Sequence, residues 1–252
     1  MRYIAFIDIL GFCQFVKTHD LKEIVNAYAP ILTGLHHATQ GARPVFKGLN
    51  YQVFSDSLCI LTDDDSPELL YELVMCCHLQ LFTHYYLLRN GVSEQLPVRG
   101  YIAKGEFIFG EHQFSTQAMG RERITTKAIP TLLGKGLVEA ADWEKQQEWI
   151  GISLCPELYR ELKSRPDVTG PCTNRNLLIR YNVPVKDNKS HETLAVNPVE
   201  RFHVDHVINE LDALETKGGL HLKAANSLKF IKHIRTNDLA IPKMPPQKVG
   251  VS

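Results

Sequence analysis

Asp8 and Asp56 are the two residues whose type and setting could carry chemistry. Asp8 lies near the end of an otherwise apolar run from Tyr3 to Leu10. That run reads as a buried strand, and alternation places Asp8 on the pleat face of Ile4 and Phe6. A charge there is costly unless a partner or a metal neutralises it. Asp56 lies in Phe54-Ser55-Asp56-Ser57, between the β-like runs Tyr51 to Phe54 and Leu58 to Thr62, at a hairpin tip. Two aspartates at the ends of adjacent strands make a divalent-cation site of the kind used in phosphoryl transfer. Each has a plainer use, Asp8 as a helix cap and Asp56 as turn chemistry. The pair, in this order and setting, favours the cation site.

The elements that must position these residues are legible in outline. Asp20 and Glu23 form a capping box, and Leu21, Ile24, Val25, Tyr28, Ile31, Leu32 and Leu35 follow at helical spacing, with Pro30 expected to bend or shorten the helix. Val45 to Phe54 and Leu58 to Thr62 predict a hairpin. Ser66-Pro67 starts a long helix whose apolar stripe includes Leu69, Leu70, Leu73, Val74, Cys77, Leu81, Phe82, Tyr85 and Leu88, with Gly91 as its stop. Val98 to Gly105 predicts a strand, 107–130 polar glycine-containing loops at the rim of the site, and Leu132 to Gln146 a helix. Trp149 to Leu154, Asn176 to Val183 and Thr193 to Val196 predict further strands, and two amphipathic helices follow Val204. The β-α-β-β-α-β order, then α-β-β, gives an α+β fold: a ferredoxin-like core with additions and a C-terminal helical appendage. The domain occupies 1–200, the helical extension 201–240 and a mobile tail 241–252.

With 252 residues the chain is long enough for one large α/β domain. Its 28 basic residues balance 28 acidic ones, so no bulk nucleic-acid or membrane-surface partner is expected. No apolar run approaches a membrane span, and the N-terminus enters a strand directly, without the pattern of a secretion signal. The six cysteines form no CxxC pair and lie mostly in apolar runs, as in a reducing cytoplasm. The eleven histidines, including His36-His37, His78, His84, His203 and His206, lack the spacing of a structural zinc site.

Phe6-Ile7-Asp8-Ile9-Leu10-Gly11-Phe12, the Asp-bearing hairpin with Phe54-Ser55-Asp56-Ser57-Leu58, Arg99-Gly100 and Val183-Pro184-Val185-Lys186 together resemble the class III nucleotidyl cyclase domain over roughly residues 3–198. Within it the chain looks most like the pyrimidine nucleotide cyclases of the Pycsar anti-phage system. The resemblance implies a homodimeric enzyme, with active sites at the subunit interface. It would convert UTP, or less favourably CTP, to the 3′,5′-cyclic monophosphate and diphosphate. The product would act on a separate effector protein. Two divalent cations, Mn2+ or Mg2+, would be held by Asp8, Asp56 and the Ile9 carbonyl. Gly11 would let the chain turn so that N–H groups around Leu10 to Phe12 face phosphates. Arg99 would contact phosphate, and Lys186 would reach the triphosphate of the other subunit's site. Tyr51, on the hairpin strand, would narrow the base pocket toward pyrimidines; its plainer reading is an ordinary strand aromatic.

One departure bears on mechanism. Aligning Gly134 to Asp142 with the Asn/Arg helix of purine cyclases puts Val138 and Asp142 where the transition-state pair stands. Lys135, Arg121 and Arg123 are the alternative sources of positive charge. The competing functional classes are a catalytically inactive, cyclase-like nucleotide-sensing module, an RNA-binding ferredoxin-like domain, and an Asp-x-Asp phosphatase. The RNA-binding class would need exposed aromatic and basic residues on the sheet, and the phosphatase is disfavoured by Leu10 at the second acid's position.

Overall fold

A computed structural model describes residues 1–39, 45–87, 97–117, 124–215 and 220–241. The N-terminal run forms β1 (Arg2–Ile9), followed by the short α1 (Phe12–Thr18) and α2 (Leu21–Thr39). The α2 capping box is present: the Glu23 N–H donates to Asp20 at 2.9 Å, and the Asp20 N–H to Glu23 at 3.0 Å. The helix continues through Pro30 to Thr39, so of the two expected effects, bending or shortening, the proline does not cause the second.

The hairpin is β2 (Leu49–Phe54) and β3 (Ser57–Thr62), and α3 (Pro67–Leu87) begins after Ser66. The Leu88 and Gly91 positions lie outside the described residues. Next comes β4 (Val98–Gly105), which lies between β1 and a later strand, β7 (Gly151–Leu154). In the seven-stranded sheet the first four strands run in spatial order β2-β3-β1-β4, all antiparallel. This is the expected ferredoxin-like arrangement, in an α+β fold. β7 adds parallel to β4, and the hairpin β8 (Leu178–Val185) and β9 (Lys189–Val196) completes the sheet.

Three local expectations need correction. The segment expected as rim loops is largely a second hairpin, β5 (Phe107–Gln117) and β6 (Ile124–Gly134). Among the described residues these strands pair only with each other, so each has one edge without a strand partner, which tolerates Pro130 opposite Glu111. Phe107 and Phe109 anchor this ribbon on the core while Ile108, between them, is exposed. Because β6 extends to Gly134, α4 starts at Lys135 and ends at Gln146, later than expected.

The strand expected from Trp149 is only Gly151–Leu154. The preceding backbone bonds elsewhere: the Glu148 N–H donates to Pro184 at 3.0 Å and the Ile150 N–H to the Ser227 hydroxyl at 2.7 Å. Two helices that sequence periodicity missed, α5 (Pro156–Leu162) and α6 (Pro166–Thr173), lead back to β8. Each has proline in its first turn.

The sheet buries both faces. Tyr3, Ala5, Ile7 and Ile9 pack with Leu70, Leu73 and Val74 of α3. Ile4, Cys59, Leu61, Tyr101 and Ala103 pack with Ala140 of α4 on the other face. A third apolar cluster joins Trp149, Ile179 and Val183 to α7 (Val204–Glu215) and α8 (His221–Thr236), the expected C-terminal helices. No helix among the described residues is long and apolar enough to cross a membrane.

Candidate active site

Asp8 is the last α4-facing residue of β1, in register with Ser57 on one side and Arg99 on the other. Asp56 is the second residue of the two-residue turn between Phe54 and Ser57. Ser55 precedes it with φ 53°, a left-handed conformation that costs a non-glycine residue some free energy. The Tyr28 hydroxyl, reaching across from α2, donates to the Ser55 carbonyl at 2.8 Å and holds the turn. The Ile9 N–H donates to the Asp56 carbonyl at 2.9 Å, tying the end of β1 to the hairpin tip. The two carboxylates thus belong to one corner of the sheet.

Burial pushes the Asp8 carboxyl above its usual range; Arg99 opposes that shift and the charge of Asp56 adds to it. Tyr28 is raised mainly by burial and also by Asp56. The negative charge of Asp56 therefore reaches both Asp8 and Tyr28. Gly11 follows at φ 79°, where side chains are disfavoured, and α1 begins at Phe12. The Leu10 N–H is already donated to the Pro97 carbonyl at 2.7 Å, so it does not serve as a phosphate donor in this conformation. The Phe12 ring lies 5.6 Å from that of Tyr28.

Arg99 is turned inward. Its Nη2 is 3.5 Å from Asp8 Oδ2, its Nε forms an ion pair with Glu144 Oε1, and its Nη1 donates to the Gln147 carbonyl at 3.2 Å. Glu144 is one residue that sequence reasoning missed. It lies on the buried stripe Gly136, Ala140, Glu144 of α4. A glutamate at i+8 on an otherwise small-residue stripe is a signal the sequence did contain. Burial pushes its carboxyl up to about 7; Arg99 pulls it down and Asp8 pushes it further up.

The remaining candidates are more dispersed. Tyr51 lies on the sheet face opposite Asp8, packed on the cluster that includes Tyr3 and Ile7, with His36 Nδ1 3.2 Å from its hydroxyl. Strand alternation instead puts Gln52 and Phe54 on the face of Asp8, since they pair with Cys59 and Ser57. Lys186 is exposed in the β8–β9 turn, and its N–H donates to the Gln146 carbonyl at 2.8 Å. The turn is thereby fastened to the end of α4 that also carries Glu144 and, through Gln147, contacts Arg99. On α4, Val138 is 60% exposed and Asp142 pairs with Lys145 at 3.7 Å, while Lys135 is exposed. Arg121 and Arg123 lie outside the described residues.

Among the described residues no group of three or more His, Cys, Asp or Glu side chains gathers as a metal cage. The Asp8 and Asp56 carboxylates supply hard oxygen donors. These suit Mg2+ or Mn2+ bound by few protein ligands, with water and substrate phosphates completing the shell. The donor set fits that kind of ion.

No protein-family model matches the sequence, and no curated protein matches it. Similar solved structures include the adenylyl cyclase CyaB from P. aeruginosa, at 13% identity and a TM-score of 0.49, covering 79% of this chain and 95% of that one. A structure of a bacterial light-regulated adenylyl cyclase has 17% identity and a TM-score of 0.48 over 92% of this chain. The match spans 56% of that longer chain. Another structure of that description has 14% identity and a TM-score of 0.43, over 84% of this chain and 96% of that one. Likenesses this distant say nothing about activity or substrate.

Proposed function

We propose that this chain is a nucleotidyl cyclase acting on a pyrimidine nucleoside triphosphate, UTP before CTP. The observation that carries the reading is the joining of Asp8 and Asp56 at one corner of a ferredoxin-like sheet, through the Ile9-to-Asp56 hydrogen bond of 2.9 Å. The motif resemblance around both aspartates supports it independently. In this reaction the ribose 3′-oxygen attacks the α-phosphorus of the same nucleotide, and diphosphate leaves. The nucleophile is already tethered, so catalysis is mainly positioning and charge stabilisation.

Asp8 and Asp56, with the Ile9 carbonyl, would hold two divalent cations. When bound, such ions lower the hydroxyl pKa and gather the triphosphate oxygens. Asp8 must be ionised for this role, and Arg99 favours that form against burial. Gly11 and Phe12 shape the turn beside the aspartates, on the side where the triphosphate would enter. Gln52 and Phe54 share the face of Asp8 and would meet the base. Tyr51, behind the hairpin, would bear on base selection by fixing where that strand lies.

Lys186 is proposed to serve the site of a second copy in a two-fold dimer. An exposed cation on a tight turn is free to reach a triphosphate across an interface. A cytoplasmic role as a generator of an antiviral signal, read by a separate effector, follows from the Pycsar resemblance and is part of the proposal. Incubating the purified chain with each of the four nucleoside triphosphates and Mn2+, then identifying cyclic products by mass spectrometry, tests it. Cyclic UMP or cyclic CMP is expected, absent in Asp8→Asn. Failure to form any cyclic product would favour the nucleotide-sensing alternative, and cyclic AMP as the main product would overturn the pyrimidine assignment.

A further inference from the structure

We infer that Tyr28 is a positioning residue for Asp56: by holding the Ser55 carbonyl it fixes the one peptide whose orientation decides where the Asp56 carboxylate points. The inference rests on the reading of Asp56 as a cation ligand. Tyr28 itself touches no ion and no reacting atom.

The turn at the hairpin tip keeps a conformation that its sequence does not favour. Its two central residues are Ser55 and Asp56, between the paired Phe54 and Ser57. Ser55 has φ 53° and Asp56 does not share the positive φ, which is the sign pattern of a type II′ turn. That form prefers glycine at the first central position, so serine is held there against its own preference. The other common hairpin turn, type I′, has positive φ at both central residues. The two forms differ in the orientation of the peptide joining those residues, here the Ser55 C=O with the Asp56 N–H. Turning that peptide over would change φ at Asp56 and swing its side chain away from its present direction.

Tyr28 acts on the atom that separates the two forms. Its hydroxyl donates to the Ser55 carbonyl oxygen at 2.8 Å. A two-residue turn closes through its outer residues and gives the central peptide no bond of its own. The Ile9 N–H holds the Asp56 carbonyl at 2.9 Å, so both central carbonyls are fixed from outside the hairpin. The support behind Tyr28 is firm. The Asp20–Glu23 capping box sets the start of α2, and the Tyr28 ring packs on the same core cluster as Phe12, with the two rings 5.6 Å apart. Phe12 stands just past Gly11, on the segment that presents Asp8. One side chain therefore touches both segments that carry the aspartates: its ring serves the packing and its hydroxyl serves the turn.

The test measures Mn2+ binding to the full chain without nucleotide, by the paramagnetic resonance signal of free Mn2+. Tyr28→Phe keeps the ring and removes the hydrogen bond. It is expected to bind Mn2+ about fivefold more weakly, the scale of one lost hydrogen bond, with a melting temperature within about 3 °C of the unaltered chain. Adding Ser55→Gly restores by backbone preference what the hydroxyl supplied, because Gly-Asp favours the type II′ form. The double variant Y28F/S55G is expected to return to within about twofold of the original affinity. Unchanged affinity in Y28F would overturn the inference. So would a double variant as weak as Y28F, since a role confined to packing leaves glycine nothing to restore. Asp56→Asn marks the site-specific part of the binding. No Mn2+ binding in the unaltered chain would remove the cation site and the inference with it, whereas binding that is lost in D56N but ignores Y28F would remove the inference alone.

Discussion

Arg99 and Asp8 face each other directly across the β1–β4 ladder, and their side chains meet as an ion pair at 3.5 Å. The arginine that the sequence offers as a phosphate ligand is, in this conformation, the counter-ion of the carboxylate proposed to hold metal. In the proposed reaction the fixed cation and any incoming metal ion would contend for that one side chain.

Asp8→Asn and Asp56→Asn should each abolish cyclic-nucleotide formation while leaving a folded protein. Burial already disfavours the charged form of Asp8, so its neutral replacement should hold or raise the metal-free melting temperature. Chromatography of products and a melting curve on each variant check both halves. Two variants that retain turnover with unaltered metal dependence would remove the two-aspartate mechanism.

Gly100→Ala should damage the site from beside Arg99. A Cβ at this position would meet the Phe6 carbonyl oxygen at 2.4 Å and the Ile7 Cα at 3.1 Å, both backbone atoms of the neighbouring strand. Strand β1 would have to shift, at a cost of roughly 1–3 kcal/mol, and the Asp8–Arg99 register would shift with it. Denaturant unfolding should show the loss; wild-type stability and activity together would mean that the ladder accommodates the methyl group.

The hairpin strand separates two effects. Gln52→Ala should alter the ratio of products made from the four nucleoside triphosphates, because Gln52 shares the face of Asp8. Tyr51→Ala should lower stability by removing a half-buried ring from the opposite core. It should relax nucleotide choice only as far as the strand moves. Competition assays with paired nucleotides measure the ratios, and a larger shift from Tyr51 than from Gln52 would reverse this assignment.

Glu139 of α4 gives a pH dependence outside the candidate site. Burial, then the neighbouring Glu157, push its carboxyl up to about 7, against the pull of Arg160. The folded chain therefore holds this proton at pH values where the unfolded chain has lost it. Stability contributed this way is present at acid pH and declines as pH rises from about 4.5 toward 7. The group is partly solvated, so the effect is discounted to roughly 1 kcal/mol. Glu139→Gln should lose less melting temperature than the unaltered chain between pH 5 and pH 8, by about 2–4 °C. Parallel curves for the two proteins would contradict the shift.

Asp8→Asn and Lys186→Ala should each be nearly inactive alone if the two residues serve different sites of a two-fold dimer. Co-refolded in equal amounts, half of the dimers would be mixed, each with one intact site of two, and roughly a quarter of normal activity should return. No recovery despite demonstrated subunit exchange would place both residues in one site or leave Lys186 without a role.

The strands, the capping box and the hairpin tip were legible in the sequence because each depends on local chemistry. A period-2 apolar run, an Asp-x-x-Glu box and a Ser-Asp-Ser turn specify their own backbone. The presence of Asp8 at the end of one strand and Asp56 at another's turn followed from the same signals. The β5–β6 hairpin was not legible, because its polar strands are stabilised by pairing with each other. Trp149 also escaped, since its segment bonds to Pro184 and Ser227, distant in the chain. Only the tertiary structure decided that Arg99 turns inward, that Tyr51 lies behind the sheet, and that Glu144 meets Arg99. Those outcomes depend on which elements pack face to face: a side chain's type fixes what it can bond, and the packing of α4 on β1 and β4 fixes what it meets.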